Sequence, residues 1–482
     1  MLFNSLHFLL FFTLVTLLFF SLSGRKRVGL LLLASCYFYA AYIPAYLLIL
    51  FLVIAIDYQA GLWIEASEGK KRRNWLIGSL VANVALLAFF KYYDFANDNI
   101  TYLLERIGYV NPLPSLSLLA PGIVLPIGLS FHTFQSMSYT IEVYRGNQKA
   151  ERSLAHYALY VLFYPQLVAG PIERPQNVLP QLHDLPGFNW ARVRSGLLMM
   201  AGGMFKKVVI ADRLALLVDP AFAHVDNSNG TSLLIAAVAY SIQIYCDFSG
   251  YSDIAIGAGR VMGVRMMENF RTPYLATSVT DFWRRWHISL STWFRDYVYI
   301  PLGGNRKSPA RTYLNTLTIF GLSGLWHGAS WKFVFWGLLH GFMLIIEQSW
   351  RRYRRDKQAR LANVPEAEYA LQGAPMTFIA PILTFAFVTL AWIFFRANSF
   401  ADAGLIIRKI ATDHQEPIQV ALSQTELLFA GGLVLLLRFE PYWIQLVDKV
   451  TTRVFWIAFP LLAAVCYFFG VFTSNQFIYF QF

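Results

Sequence analysis

Apolar stretches long enough to cross a lipid bilayer recur along the whole chain of 482 residues. A helix needs about 20 residues to span the bilayer, or somewhat fewer with flanking help. Because lipid cannot satisfy free backbone groups, and the runs lack the alternation of a barrel, the pattern predicts an all-α integral membrane protein. We expect roughly 11–13 tilted or re-entrant segments. The clearest runs are 6–23, 28–42, 45–63, 75–92, 232–246, 313–326, 333–348, 376–395, 427–437 and 454–472, and runs around 122–140, 154–170 and 196–217 are interrupted.

The composition supports a membrane protein and explains the net charge. Apolar residues make up 56% of the chain and charged residues only 14%, against about 25% charged in soluble domains. The formal charge of +12 comes from short basic clusters at the ends of apolar runs, which the positive-inside rule explains without a nucleic-acid partner. Clusters at 25–27 and 70–73 are separated by two apolar runs, so both are predicted to face the cytoplasm with the N-terminus outside.

One membrane domain over 1–482 is the simplest organisation, since helices in lipid must pack on their neighbours. Within it we distinguish N-terminal helices (1–120), a motif-bearing core (121–350) and C-terminal helices (375–482). Between the last two, residues 351–374 are charged and then small and Pro-containing, which predicts a polar linker.

The segment 268–312 is rich in Trp, Tyr, Arg and Asp and holds no long apolar run. We predict an amphipathic or re-entrant helix over 278–296 and a turn at 303–305. His287 and Ser291 are four apart and share a helix face. A Ser–His nucleophile pair is conceivable, although a nucleophile elbow is absent and Asp281 is poorly placed to orient His287. The polar and aromatic candidates for a substrate tunnel are Asp281, Arg285, Trp286, Ser291 and Trp326.

His327 and His340 interrupt an otherwise apolar and aromatic stretch. On one helix, 13 residues would direct them about 140° apart, the usual zinc spacings are missing, and the three cysteines are scattered, so no metal site is predicted. His327 is either a neutral, hydrogen-bonded structural residue or a functional one. A neutral imidazole could take the proton from an alcohol that attacks an activated acyl group. His340 is interpreted as a packing residue.

Eight motifs in order make the chain resemble the membrane-bound O-acyltransferase (MBOAT) family, specifically its bacterial alginate O-acetylation branch. The resemblance covers nearly the whole sequence, and the motifs together are far more specific than any one alone. They are LPIGLSFHTFQSMSYTIEVYRG (125–146), FYPQLVAGPIERP (163–175), GMFKKVVIADRLA (203–215), QIYCDFSGYSDIAIG (243–257), FWRRWHISLSTWFRDYVYIPLGGNR (282–306), GLWHGASWKFVFWGLLHG (324–341), WIFFRA (392–397) and FIYFQF (477–482).

This resemblance implies a fold, an activity and two catalytic residues. The fold would be a ring of tilted helices around a central funnel or tunnel, with His327 as the catalytic base and His287 as the second histidine. A multi-pass protein of the bacterial inner membrane would take an acyl group, most simply acetyl, from a cytoplasmic thioester to an exported polysaccharide such as alginate. We expect no bound cofactor, with acetyl-CoA or a carrier-protein thioester as the donor. The expected partners are an extracytoplasmic O-acetyltransferase and the polysaccharide export machinery.

Two other functions remain open on the sequence. D-alanine or another acyl group could be transferred to a different envelope polymer, such as teichoic acid or peptidoglycan. A non-catalytic export component would also use broken helices and intramembrane charge, although it predicts inverted repeats that we do not find in the sequence. The arginines of 268–312, with Lys206, Lys207 and Lys332, could attract the phosphates of a donor or simply anchor the protein at the cytoplasmic face.

Overall fold

A computed structural model describes residues 1–119, 125–167, 170–362, 379–414 and 422–472. The motif at 477–482, two residues of the motif at 163–175 and the second half of the predicted linker lie outside this part of the chain. Within it every regular element is a helix, which confirms the all-α prediction. The α-helices are α1 (Leu6–Ser21), α2 (Arg25–Ala40), α3 (Tyr46–Glu65), α4 (Gly69–Leu87), α5 (Tyr93–Glu105), α6 (Leu116–Leu119), α7 (Leu129–Arg145), α8 (Leu154–Leu162), α9 (Pro175–His183), α10 (Trp190–Met204), α11 (Asp212–Ala223), α12 (Gly230–Met262), α13 (Val279–Arg285), α14 (Ile288–Phe294), α15 (Pro309–His327), α16 (Trp331–Ala362), α17 (Ile379–Arg396), α18 (Phe400–Thr412), α19 (Gln424–Leu436), α20 (Glu440–Val447) and α21 (Thr452–Phe469).

Over its described residues, each of the ten clearest apolar runs is mainly one helix or two consecutive helices. Among the described residues, six helical stretches are long and apolar enough to cross a membrane, and α1 is a shorter apolar helix. The leucines of α1 show why such a helix needs lipid. Leu6, Leu10, Leu14 and Leu17 recur every three or four residues on one helix face, and each is at least 60% exposed. A stripe of this kind is stable against acyl chains and not against water.

The Cα positions divide the chain into two compact units. Unit 1 contains Met1–Asp212, Cys246–Glu268 and Tyr442–Phe482, and unit 2 contains Arg213–Tyr245 and Asn269–Pro441. All the predicted site residues, from Asp281 to His327, belong to unit 2. The boundaries of these units differ from the subdivision that we drew at 120, 350 and 374, and the single membrane domain stays a prediction.

The predicted linker at 351–374 starts as a helix. α16 continues from Trp331 through the basic cluster to Ala362, and residues 363–374 lie outside the described part of the chain. The sequence RRYRRDKQARLA is made largely of good helix formers. Charge therefore ends the apolar run at this point without ending the helix.

Candidate active site

The segment around His287 is two short helices instead of the single helix predicted over 278–296. α13 ends at Arg285, Trp286 is extended, and His287 adopts a left-handed conformation with φ 42° before α14 begins. Such a conformation costs a non-glycine residue about 1–3 kcal/mol and persists only where the surroundings enforce it. The predicted turn is confirmed, with Gly303 and Gly304 both at positive φ.

The break at His287 is enforced by a neighbouring strap, residues 269–272. The Arg271 N–H donates to the Arg285 carbonyl at 2.9 Å, and the Ile288 N–H donates to the Asn269 carbonyl at 2.9 Å. The Arg285 carbonyl and the Ile288 N–H, on either side of Trp286, are therefore bonded to the strap and not to each other's neighbours in a continuous helix. At the other end of α13, the Glu347 carboxylate of α16 accepts the N–H groups of Val279 and Thr280, which fixes α13 to α16.

The Asn269 side chain determines which nitrogen of His287 carries the proton. Its Oδ1 accepts from the Ser289 backbone N–H at 3.3 Å and from the Ser289 hydroxyl at 2.9 Å. A backbone N–H can only donate, so the amide oxygen faces this side. The His287 Nδ1 lies 3.1 Å from the same oxygen and must therefore be the donor. His287, which is fully buried, thus has its lone pair on Nε2.

His327 is the last residue of α15 and is 4% exposed. Its ring meets Trp326, Trp336 and Phe395 edge-on, with centroids 4.9, 5.1 and 5.4 Å away. The Trp326 ring also lies 6.2 Å from the His287 ring. The two histidines that the resemblance selects are therefore brought to one buried aromatic cluster, where a single indole contacts both.

Glycines let α15 and α16 approach closely enough to build this cluster. A Cβ on Gly324 would lie 2.1 Å from the Phe333 carbonyl oxygen, and a Cβ on Gly337 would lie 2.0 Å from the Phe320 carbonyl oxygen. The two helices are thus in backbone contact, as small residues permit in membrane helices. Gly328 and the residues up to Ser330 separate the helices, so His327 and His340 are not on one helix.

His340 also packs against Trp336, whose ring is 5.1 Å from both His327 and His340. The Trp283 indole N–H donates to His340 Nδ1 at 3.3 Å, so the His340 proton is on Nε2. The Nε2–H of His340 and the indole N–H groups of Trp336 and Trp392 are buried and have no hydrogen-bond partner among the described residues. A buried donor of this kind can form a hydrogen bond to an acceptor that enters the site.

The remaining predicted tunnel residues have partners of their own. Asp281 pairs with Arg285 at 2.9 Å on one face of α13. The Ser291 hydroxyl donates to the Trp286 carbonyl at 3.3 Å, while the Ser291 backbone N–H donates to the His287 carbonyl. Trp286 is buried against Phe282 and Trp392. These contacts position the segment around His287.

The lysines proposed for phosphate binding are largely engaged within the fold. In unit 1, Lys206 pairs with Asp253 at 2.5 Å, and Lys207 lies between Asp212 at 2.8 Å and Asp247 at 2.6 Å. In unit 2, Lys332 donates to the Ala397 carbonyl at 2.5 Å. Their internal partners favour a structural role over attraction of a donor's phosphates.

The structure thus places two buried histidines, one at a helix terminus and one with a fixed tautomer, in one aromatic cluster of an all-helical membrane protein. Comparison with known proteins identifies the reaction that this class of membrane protein catalyses. The sequence profile of the membrane-bound O-acyltransferase (MBOAT) family matches residues 132–400. The chain belongs to this family and is a membrane-bound acyltransferase.

Individual relatives extend the comparison to most of the chain. A "Probable alginate O-acetylase" of Pseudomonas aeruginosa is 41% identical over 410 residues, covering 84% of this chain and 73% of the relative. A peptidoglycan O-acetyltransferase of Helicobacter pylori is 36% identical and covers 78% of this chain and 72% of the relative. A teichoic acid D-alanyltransferase of Streptococcus thermophilus is 28% identical and covers 54% of this chain and 67% of the relative.

Proposed function

We propose that this protein transfers an acetyl group from a thioester to hydroxyl groups of an exported polysaccharide of the alginate type. The greater similarity to O-acetylases than to the D-alanyltransferase supports the acetyl group. The observation that carries the proposal is that His327 and His287 both contact Trp326 in one buried cluster. By this proposal the protein lies in the bacterial inner membrane and works with an extracytoplasmic O-acetyltransferase and the export machinery.

His327 is the general base. Its neutral ring removes the proton from the attacking hydroxyl as the oxygen forms its bond to the thioester carbonyl carbon. When the C–S bond breaks, the proton passes from the imidazolium to the leaving thiolate, so His327 is regenerated. The C-terminal end of α15 carries partial negative charge, which stabilises the transient imidazolium by roughly 0.3–1 kcal/mol. General base catalysis of this kind contributes about 10²–10⁴-fold.

His287 orients a substrate beside this base. With its Nδ1 proton directed to Asn269, the Nε2 lone pair can accept a hydrogen bond from a substrate hydroxyl or amide. Asn269 acts through His287 and is a positioning residue. Sequence reasoning missed it, because nothing near Asn269 in the chain marks an asparagine for this contact 18 residues away.

Three N–H groups around Trp336, which packs against His327, suit the thioester substrate. Thioester and pantetheine carbonyl oxygens are acceptors, and the N–H groups of Trp336, Trp392 and His340 are buried donors of the required kind. Donors already in place when charge develops on a carbonyl oxygen stabilise the transition state. In this proposal the thioester, delivered as acetyl-CoA or on a carrier protein, binds against Trp336, Trp392 and His340.

The function is tested in cells and with purified protein. A strain lacking this gene is complemented with wild type or with His327→Gln, and ester-linked acids on its exported polysaccharide are released by mild base and identified by mass spectrometry. Acetate restored by wild type alone supports the proposal. Released D-alanine, or acetate restored equally by His327→Gln at matched protein levels, would overturn it. Purified protein with each thioester then identifies the donor from the thiol released.

A further inference from the structure

Three potential metal ligands from two separate stretches of the chain come together in unit 1, and none of them lies in a helix long and apolar enough to cross a membrane. Glu151 precedes α8, His156 lies in its first turn, and His183 ends α9. One ligand atom from each of the three lies within 4.8 Å of the other two. The His156 and His183 rings stack with centroids 3.9 Å apart and planes 11° apart. Ligand atoms in a tetrahedral zinc site are about 3.4 Å apart, so the three side chains are within reach of one ion once the stacked rings turn to direct their lone pairs at it.

Neighbouring groups already orient two of the three ligands. The Ser153 N–H donates to Glu151 Oε1 at 2.8 Å, which leaves Oε2 for the 2.7 Å contact with His183 Nε2. The Ser153 hydroxyl lies 2.8 Å from His156 Nδ1, which leaves His156 Nε2 as the nitrogen for a metal. Tyr139 holds the Glu151 backbone by accepting its N–H at 2.9 Å. Outer contacts of this kind are typical of metal sites, where they fix ring orientation and tautomer.

We propose that Glu151, His156 and His183 bind a divalent transition-metal ion of the Zn²⁺ class. Two imidazoles and one carboxylate form a ligand set that zinc accepts, with a fourth position for water. His183 is 47% exposed at its side chain, so ions and water reach the cluster from solvent. A metal on His183 Nε2 takes the place of the hydrogen bond from this nitrogen to Glu151 Oε2, and the proton of the neutral ring then resides on Nδ1.

The cluster is remote in sequence from the acyltransfer residues, and zinc binding there is independent of the acyl-transfer proposal. The ligands join the segment before α8 to the end of α9. The ion would thus cross-link two short helices that each have only nine residues. Its expected effect is on stability, since anything that binds only the folded state stabilises it.

The test titrates ZnCl₂ into chelator-treated full-length protein in detergent, purified through an affinity tag without histidines, with calorimetry as the readout. His183→Ala and Glu151→Gln remove ligands, and His224→Ala removes an exposed histidine outside the cluster as the matched control. Ser153→Ala tests the outer contact, which is expected to weaken affinity about 10- to 100-fold.

Wild type and His224→Ala should bind one equivalent of Zn²⁺, with a melting temperature that rises on binding. The affinity should fall at least about tenfold in both ligand variants while their metal-free melting temperatures stay near that of wild type. Absence of saturable binding by wild type, or an affinity in His183→Ala equal to that in His224→Ala, would overturn the proposal.

Discussion

Substituting Gly337 by alanine tests whether the contact between α15 and α16 sets the position of His327. The new Cβ would lie 2.0 Å from the Phe320 carbonyl oxygen, where ordinary contact begins near 3.4 Å. Because the obstacle is backbone, the helices must open by about 1.4 Å at this level. Gly337 also adjoins Trp336, whose ring packs on His327.

The expected result is loss of activity with limited loss of stability. Overpacking costs about 1–3 kcal/mol, and up to about 1 kcal/mol is offset because alanine is the better helix former. A displacement of about 1 Å at catalytic groups can lower the rate about 10²-fold. We therefore expect Gly337→Ala to lower thioester turnover about 100-fold while the protein is still inserted and purified as a folded species.

The matched control is Gly321→Ala on the same hairpin. A Cβ on Gly321 would lie 3.5 Å from Leu338 Cδ2, which is ordinary contact. It brings the same gain in helix propensity without separating the helices, so full activity is expected. Turnover of purified protein and thermal unfolding in detergent are measured for both variants. Activity of Gly337→Ala within twofold of Gly321→Ala would refute the argument that backbone contact positions His327.

Three further predictions concern the site itself. His327→Gln should abolish turnover, whereas His287→Gln, which can still accept a hydrogen bond, should retain residual activity; the reverse order in a steady-state assay would exchange their roles. Asn269→Ala should lower kcat about 10²-fold, and Asn269→Asp should restore much of it with an altered pH–rate profile, whereas unchanged kinetics in both would remove Asn269 as a positioning residue. Trp336→Phe removes one N–H group but keeps an aromatic ring. We expect turnover to fall about 10²–10³-fold if that N–H donates to the reacting carbonyl oxygen. A change only in the KM for the thioester would show that the N–H contacts another part of the thioester substrate instead.

The helices themselves follow from local information. Long apolar runs must become helices in lipid, and a resemblance carried by ordered motifs is enough to select His327 and His287. The break at His287 was not visible locally, because Phe-Trp-Arg-Arg-Trp-His-Ile-Ser has no Pro or Gly to interrupt a helix. The interruption comes from backbone bonds to the strap at 269–272. The helix through the basic cluster after residue 350 differs from the prediction for the opposite reason: a charged, Pro-containing segment predicts a loop, but its first residues are good helix formers and extend α16 to Ala362.

The sequence by itself determined the membrane class, the helical segments, the family and the two histidines to test, because these depend on hydropathy and on motifs that are continuous in the chain. Only the tertiary structure decided the tautomer of His287, the approach of α15 to α16, the unpartnered donors around Trp336 and the meeting of Glu151, His156 and His183. Each of these depends on atoms from segments far apart in sequence. A hydrogen bond or a metal site needs positions fixed to within about 0.5 Å, and such positions are a property of packing between helices, which residue patterns within one helix do not specify.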